Sequence, residues 1–370
     1  MKRSFKVIER LGIFTGTIYL FLFLGFSYAN ERIPDRFEGG EVAYYDKRIG
    51  ETCIGLRNNN FDKIELGDEV YGRWTKPNLP YPWDLSKEER EKLSAEEYMR
   101  RYFWGFGKQT YCKTYESCAC FKLIDRRGHI RKKVVKQWYI PYMYRKDSEA
   151  FKAGIMGKAL FLTVAPEDAR GLAIMDWTYF DDKKSDDFWL YLPSLRKVRR
   201  MSEGSKQDSF MGSDLHNDDL FMNVTEYNHK FLKSEIYKAD ENIFGLEKQN
   251  LNKFVNGIGR DCWVIETKSK RSWYYDKMLT WHDKDNFIIY KTLKYDKKGK
   301  LIITIAGTFI IQAGVPYTSG AKDYYTFFNW FPANDLRSNH VTVAEQSTAN
   351  WDIDFPEGIW STRHMMRGVY

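Results

Sequence analysis

Between Trp273 and Gln312 apolar and polar residues alternate, and turn sequences interrupt the alternation at His282 to Asn286 and at Asp296 to Lys300. A period of two marks a strand with one buried face; a helix would return its apolar residues every three or four positions. Trp273, Tyr275, Leu279 and Trp281 share a face, and Phe287, Ile289, Leu293 and Tyr295 share one on the next strand. Leu301 to Gln312 is apolar on both sides, as a strand covered front and back would be. Short turns join strands that run antiparallel, so this stretch predicts a meander.

The same signature recurs upstream. Ala119 to Tyr142 has apolar ends around Asp125 to His129, a hairpin turn in which Gly128 supplies the unusual backbone angles. Leu160 to Val164 is a short apolar run. Leu172 to Phe180 places Met175, Trp177 and Tyr179 on one side of a strand. Asp187 to Pro193 places Phe188, Leu190 and Leu192 on one side, with Trp189 and Tyr191 on the other. Cys262 to Thr267 puts Trp263 and Ile265 together. Aromatic residues make up 17% of the chain, which suits pleated surfaces on which flat rings pack well. No repeat of about 20 to 50 residues is present, which excludes solenoids and propellers.

Helical patterns are few. Ser86 and Ser94 are each followed three residues on by Glu, the capping-box spacing, and predict about four turns over Ser86 to Tyr102, broken in the middle. Ser148 to Gly157, part of Glu203 to Leu220 and Tyr237 to Val255 complete the set. The fold class expected is α+β, mostly antiparallel β: one curved sheet, a half-barrel, with short helices as a lid over an apolar cavity. Such a sheet has more apolar face than so few helices can cover, and that face takes a ligand or closes on a partner.

The first residues settle the compartment. Lys2, Arg3, Lys6 and Arg10 precede an uncharged stretch from Leu11 to Asn30 that ends Ser27-Tyr28-Ala29, the small-x-small pattern a signal peptidase reads. Residues 1–29 are expected to be a cleaved signal peptide and the protein periplasmic; the alternative is an uncleaved inner-membrane anchor. Cleavage removes four cations and one anion and takes the net charge from +8 to about +5. Export makes nucleic acid an improbable partner. Residues 30–113 read as an N-terminal extension with one helix, and residues 114–370 as the main domain. Among Cys53, Cys112, Cys118, Cys120 and Cys262 at most two bridges can form, and a disulfide joining the extension to the main domain is expected.

The chemistry-bearing side chains point away from catalysis. Ser194-Leu195-Arg196-Lys197 matches a Ser-x-x-Lys spacing, but its companion motifs are absent and Ser194 follows a strand-ending Pro193. Asp214, His216, Asp218 and Asp219 resemble a metal cluster at first sight; the Gly212-Ser213-Asp214 start reads instead as a loop whose side chains bond backbone amides. No phosphate loop, zinc helix or nucleophile elbow occurs, so no enzyme, cofactor or metal is expected. Met175, Trp177, Tyr179, Phe188, Leu190 and Leu192 are the candidates to line an acyl-chain cavity, or simply to form core. Arg196, Lys197, Arg199 and Arg200 are the candidates to meet anionic headgroups or a partner, or to guard a strand edge by charge. Lys122 to Lys136 holds a second basic cluster, with seven cations against Asp125.

A linked set of motifs carries a resemblance. It comprises Arg170-Gly171, Met175-Asp176-Trp177-Thr178-Tyr179, Asp186 through Arg200, Phe210-Met211-Gly212-Ser213-Asp214, Asp218-Asp219-Leu220, the Trp263–Phe309 run, and Trp360-Ser361-Thr362-Arg363. Together they resemble the outer-membrane lipoprotein-sorting proteins of the LolA-like superfamily and the related DUF1329 proteins, over residues 114–370. The resemblance implies a lid over a hydrophobic cavity and carriage of lipid or lipoprotein acyl chains to the outer membrane beside an RND-type (MMPL-like) transporter. The rival expectation is a ligand-free structural or regulatory protein that docks to an envelope transporter or sensor.

Overall fold

The computed structural model describes residues 86–103, 114–142, 145, 147–181, 183–238, 259–284, 287–316, 322–346, 350–351 and 355–367. The signal peptide, most of the extension, Cys53, Cys112 and nearly all of the helix expected over Tyr237 to Val255 lie outside the described residues. The helix expected over Ser86 to Tyr102 is two: α1 (Lys87–Glu91), with a complete Ser86/Glu89 capping box, and α2 (Ala95–Tyr102), capped by Ser94. Tyr98, Met99 and Tyr102 of α2 are buried in the main core. This helix therefore packs as part of the body.

The strands run β1 (Tyr115–Ile124), β2 (Ile130–Pro141), β3 (Ile155–Ala165), β4 (Ala173–Tyr179), β5 (Asp187–Leu192), β6 (Lys197–Met201), β7 (Tyr227–Ile236) and β8 (Asp261–Ser269). They continue as β9 (Lys277–Asp283), β10 (Ile289–Tyr295), β11 (Leu301–Ala306), β12 (Thr308–Pro316), β13 (Lys322–Asp335), β14 (His340–Gln346) and β15 (Asn350–Trp351). All pairings are antiparallel in one sheet, ordered β6-β5-β4-β3-β2-β1-β14-β13-β11-β10-β9-β8-β7, with β12 and β15 off this path. Chain order therefore climbs to one edge at β6, crosses to the opposite edge at β7, and works back until β14 meets β1 in the middle.

That order dictates a strap. Residues 202–226 are the only link between the two edges and must cross one face of the sheet. They carry 3-10 turns and α4 (Asn217–Phe221); α3 (Glu149–Lys152) lies earlier, between β2 and β3. The ring of Phe221 lies 5.2 Å from Phe188 on β5, while Asp219, two residues away, is 2.5 Å from Lys294 on β10. Eight strand spacings separate β5 from β10, about 38 Å along a flat sheet. One short helix touches both, so the sheet is curled into a trough around the strap.

Six connections lie along one rim of the trough, because the registers place strand ends side by side. Two are the links 166–172 and 270–276; the other four are the turns at residues 125–129, 193–196, 296–300 and 336–339, brought together by Ile124↔Val341, Ala173↔Tyr191, Ile303↔Asp335 and Tyr295↔Leu301. Gly128 and Gly299 take positive φ in two of them. The C-terminal segment, with α5 (Thr362–Arg367), lies on the outer face, where Trp360 and Met365 bury against Trp138, Leu160, Met175 and Tyr191.

Three expectations need correction. Leu301 to Gln312 is two strands parted at Gly307, a residue that weakens a strand interior because it has no side chain to pack. Trp273 and Tyr275 precede β9 in irregular chain and do not extend its face. Ser148 to Gly157 forms one helical turn; Gly154, at φ +79°, ends it and β3 begins at Ile155. Cys118 is disulfide-bonded, and Cys120 and Cys262 are buried thiols outside any disulfide.

Candidate ligand-binding face

Residues directly opposite in an antiparallel pair share a face, which fixes the sidedness of every predicted lining residue. Ile174 faces Leu190 and Asp176 faces Phe188, whereas Met175 faces Trp189. The inner face, under the strap, therefore carries Ile174, Asp176, Phe188 and Leu190 with Phe161 of β3. The outer face carries Met175, Trp177, Tyr179, Trp189 and Tyr191, under the C-terminal segment. The six predicted lining residues do not form one surface. Phe188 and Leu190 belong to the inner core, and Leu192 continues their side of β5, half-buried at the strand end. Met175 and Tyr179 are buried in the outer cluster, and Trp177 packs against it with Trp189 at 5.2 Å.

The strap fills much of the trough with its own side chains. Phe210 lies edge-on to Phe161 at 5.3 Å, Phe221 does the same at 5.4 Å, and Leu215, Met211 and Met222 are buried beside them. A small pocket of about 80 Å³ stays open between α2, the strap and strands β10 and β11. Tyr102, Leu215, Leu220, Ile289, Ile305 and Ala306 give it an apolar wall, and Lys291 and Asp219 stand at it as polar groups.

Buried polar anchors hold the strap down. Near β5, the Lys206 ammonium bonds Asp186 at 3.1 Å and Glu203 at 2.9 Å; burial alone would make it easier to deprotonate, but Asp186, Glu203 and Asp176 hold it above the ordinary lysine range. At the centre, Asp214 accepts the Thr342 hydroxyl at 2.7 Å and lies 2.6 Å from His340 Nδ1; burial pushes its carboxyl up. At the far side, Asp218 accepts from Trp273 Nε1 and from the Tyr274 hydroxyl, each at 2.9 Å. Lys294, fully buried, pairs with Asp219 at 2.5 Å and with Asp218 at 3.6 Å. Burial raises the Asp218 carboxyl, while Lys294 opposes that shift.

His216 stacks on Tyr274 with centroids 4.1 Å apart and is pushed down to about 4 by burial. The backbone-bonding role expected of this loop holds in part, since Asp219 accepts the His216 amide at 2.8 Å. Asp214 and Asp218 instead bond side chains of remote elements. No group of three or more His, Cys, Asp or Glu among the described residues is placed to hold a metal ion.

The basic stretch sits at the edge strand. Arg196, at φ +50°, is the turn between β5 and β6, and Lys197, Arg199 and Arg200 are exposed on β6. Arg200 is tied to Asp187 in an ion pair. Sequence reasoning missed Lys206 and Lys294, because a lone cation in a strand or turn reads as solvent-facing; only their partners reveal them.

Solved structures share the open antiparallel sheet. A DUF1329 family protein from Desulfovibrio piger matches with TM-score 0.54 at 20% identity, over 73% of this chain and 97% of its own. A domain from Vibrio parahaemolyticus assigned as an outer membrane lipoprotein-sorting protein matches with TM-score 0.55 at 20% identity, over 75% of this chain and 100% of its own. No curated protein matches the sequence. A family model described as an uncharacterized protein covers residues 156–367, more than half of the 370 residues, and the chain belongs to that family.

Proposed function

We propose that this protein is a periplasmic carrier without catalytic chemistry, which holds an acyl chain of a lipid or lipoprotein against the inner face of the trough. The observation that carries the reading is the small apolar pocket of about 80 Å³ beside the strap, on the face where the fold leaves hydrocarbon surface to cover. Hydrocarbon transfer is enough to drive binding: a dozen methylenes at about 0.8 kcal/mol each offer roughly 10 kcal/mol before the costs of association. Partial withdrawal of the strap enlarges the pocket toward Phe188 and Leu190 and exchanges the strap's side chains for the ligand's. Delivery between an RND-type inner-membrane transporter and the outer membrane, cleavage after Ala29, and the division into a 30–113 extension and a 114–370 carrier domain belong to the same proposal. They rest on the resemblance and on the N-terminal pattern.

Solvent extraction of the purified protein followed by mass spectrometry should release lipid, and a fluorescent fatty acid should bind. Leu220→Arg, which puts a charge at the pocket wall, should weaken that probe at least tenfold while the fold persists. One observation favours the rival reading of a docking protein without ligand: Phe210, Leu215 and Phe221 already occupy much of the trough. An empty extract together with a probe that fails to bind selects the rival.

A further inference from the structure

Four of the six connections along that rim share a property that no single one of them shows; in the other two, 166–172 and 270–276, Arg170 pairs with Glu167, Arg271 pairs with Glu226, and Asp168 and Asp276 are exposed. Arg127 stands in the first, Arg196 in the second with Lys197 just after it, and Lys298 and Lys300 in the third, all exposed. Arg337 in the fourth is bound to Asp335. Asp125 and Asp296, the acids of the first and third turns, are used locally: their carboxylates accept the backbone amides of Arg127 and His129, and of Lys298 and Lys300. They shape the turns and leave the cations outermost. By sequence, the turns of the opposite rim (142–154, 180–186 and 284–288) carry as many carboxylates as cations. With 166–172 and 270–276 counted, the first rim holds ten cations against five carboxylates by sequence, so the excess of positive charge lies there. Leu195 projects from the basic rim with 49% of its surface exposed, in a turn where Pro193 and the left-handed Arg196 hold it outward.

We propose that this rim is a docking surface for an anionic bilayer. The reading goes beyond the carrier proposal, because it places no ligand in the trough and survives if the pocket is never filled. Charge complementarity carries it. Cations spread over turns that are distant in sequence but level in space match a sheet of headgroup phosphates, and they form no groove for a peptide. Leu195 at their level supplies an apolar contact that a bilayer accepts at its headgroup boundary. Among the described residues no carboxylate pairs with Arg196 or Lys197, so their charge is available at the surface.

Flotation with phosphatidylcholine vesicles, with and without phosphatidylglycerol, tests the proposal on the full chain. The protein should bind phosphatidylglycerol vesicles, release with added salt as surface charges are screened, and bind pure phosphatidylcholine weakly. Each neutralised cation should weaken binding about fivefold, so the combined Arg127→Gln, Arg196→Gln and Lys298→Gln variant should lose roughly 100-fold. Leu195→Asp should lose at least tenfold. Lys152→Gln with Lys183→Gln, on the opposite rim, should bind as the wild type does. Residues 1–85 are unchanged in every variant, so any membrane contact made there cancels. Equal binding by the triple-Gln variant and the wild type overturns the proposal, as does equal loss from the opposite-rim variant. Retention on heparin without retention on vesicles assigns the rim to a soluble polyanion and also overturns it.

Discussion

Lys294 shows how much a single side chain can decide. It lies between Leu293 and Tyr295 near the end of β10, and nothing in the local pattern separates it from a solvent-facing lysine. In the folded chain it is fully buried and faces Asp218 and Asp219 from the strap. A buried pair adds little net stability because desolvation offsets attraction, but removing one partner strands the other's charge. Lys294→Met should therefore cost about 3–5 kcal/mol in urea unfolding, and Asp218→Asn distinctly less, since the amide oxygen can still accept from Trp273 while its NH2 donates to the Tyr274 hydroxyl oxygen. A second expectation at this scale concerns pH. Burial holds His216 down to about 4 and His282 to about 3, and lowers His229 as well.

The unfolded chain protonates these rings near their ordinary value of about 6.5 and the folded chain does not, so stability should fall as pH drops below that value. Each ring contributes up to about 1.4 kcal/mol per pH unit. The raised carboxyls of Asp214 and Asp218 work in the opposite sense, adding stability as they take up protons. A urea midpoint that stays level from neutral pH to about 5 would contradict the burial of these histidines. Their burial could not be read from the sequence: His216 looked like part of a metal cluster, and its stacking partner Tyr274 lies far along the chain.

At the scale of the element, alternation tells which residues share a face but not which face looks inward. Met175, Trp177 and Tyr179 share one side of β4, and Phe188 and Leu190 share one side of β5, as their sequence periods require. Register then sets the two groups on opposite sides of the sheet. Both sides looked equally apolar because the C-terminal segment covers the outer one, and its contribution is remote in sequence. Leu190→Arg should accordingly weaken the fatty-acid probe at least tenfold, whereas Trp177→Ala should lower stability and leave probe affinity unchanged. Turns were more legible than sidedness. Gly171 is one that the fold requires: its φ is +87°, and an added Cβ would stand 3.3 Å from Pro193 Cγ. Gly171→Ala should cost about 1–2 kcal/mol in chemical denaturation. The capping box at Ser86 and the cap at Ser94 were legible for a similar reason, since each is made within one turn of chain.

For the whole molecule, fold class was legible and the strap was not. Strand after strand with short turns leaves few architectures, yet the step from β6 to the far edge at β7 leaves no mark in local sequence. Length offers the one hint: the linker between those strands is longer than the hairpin turns around it and rich in acidic residues. Covalent chemistry gives a check at this scale. Cys120 and Cys262 are buried, and desolvation raises the Cys262 thiol well above its ordinary value. Both should resist a thiol reagent in the folded protein and react stoichiometrically in denaturant. Reducing the Cys118 bridge should lower stability by about 2–4 kcal/mol.

The seam between β1 and β14 bears on how the chain comes to be folded at all. It joins residues 115–124 to residues 340–346 at the centre of the sheet. A polypeptide that emerges amino end first must hold its middle strand unpaired on one side until nearly its last residues arrive. Before that moment it is two separate half-sheets, each with a raw inner margin open to stray pairing. Loss of the final thirty or so residues would thus unmake the centre of the protein.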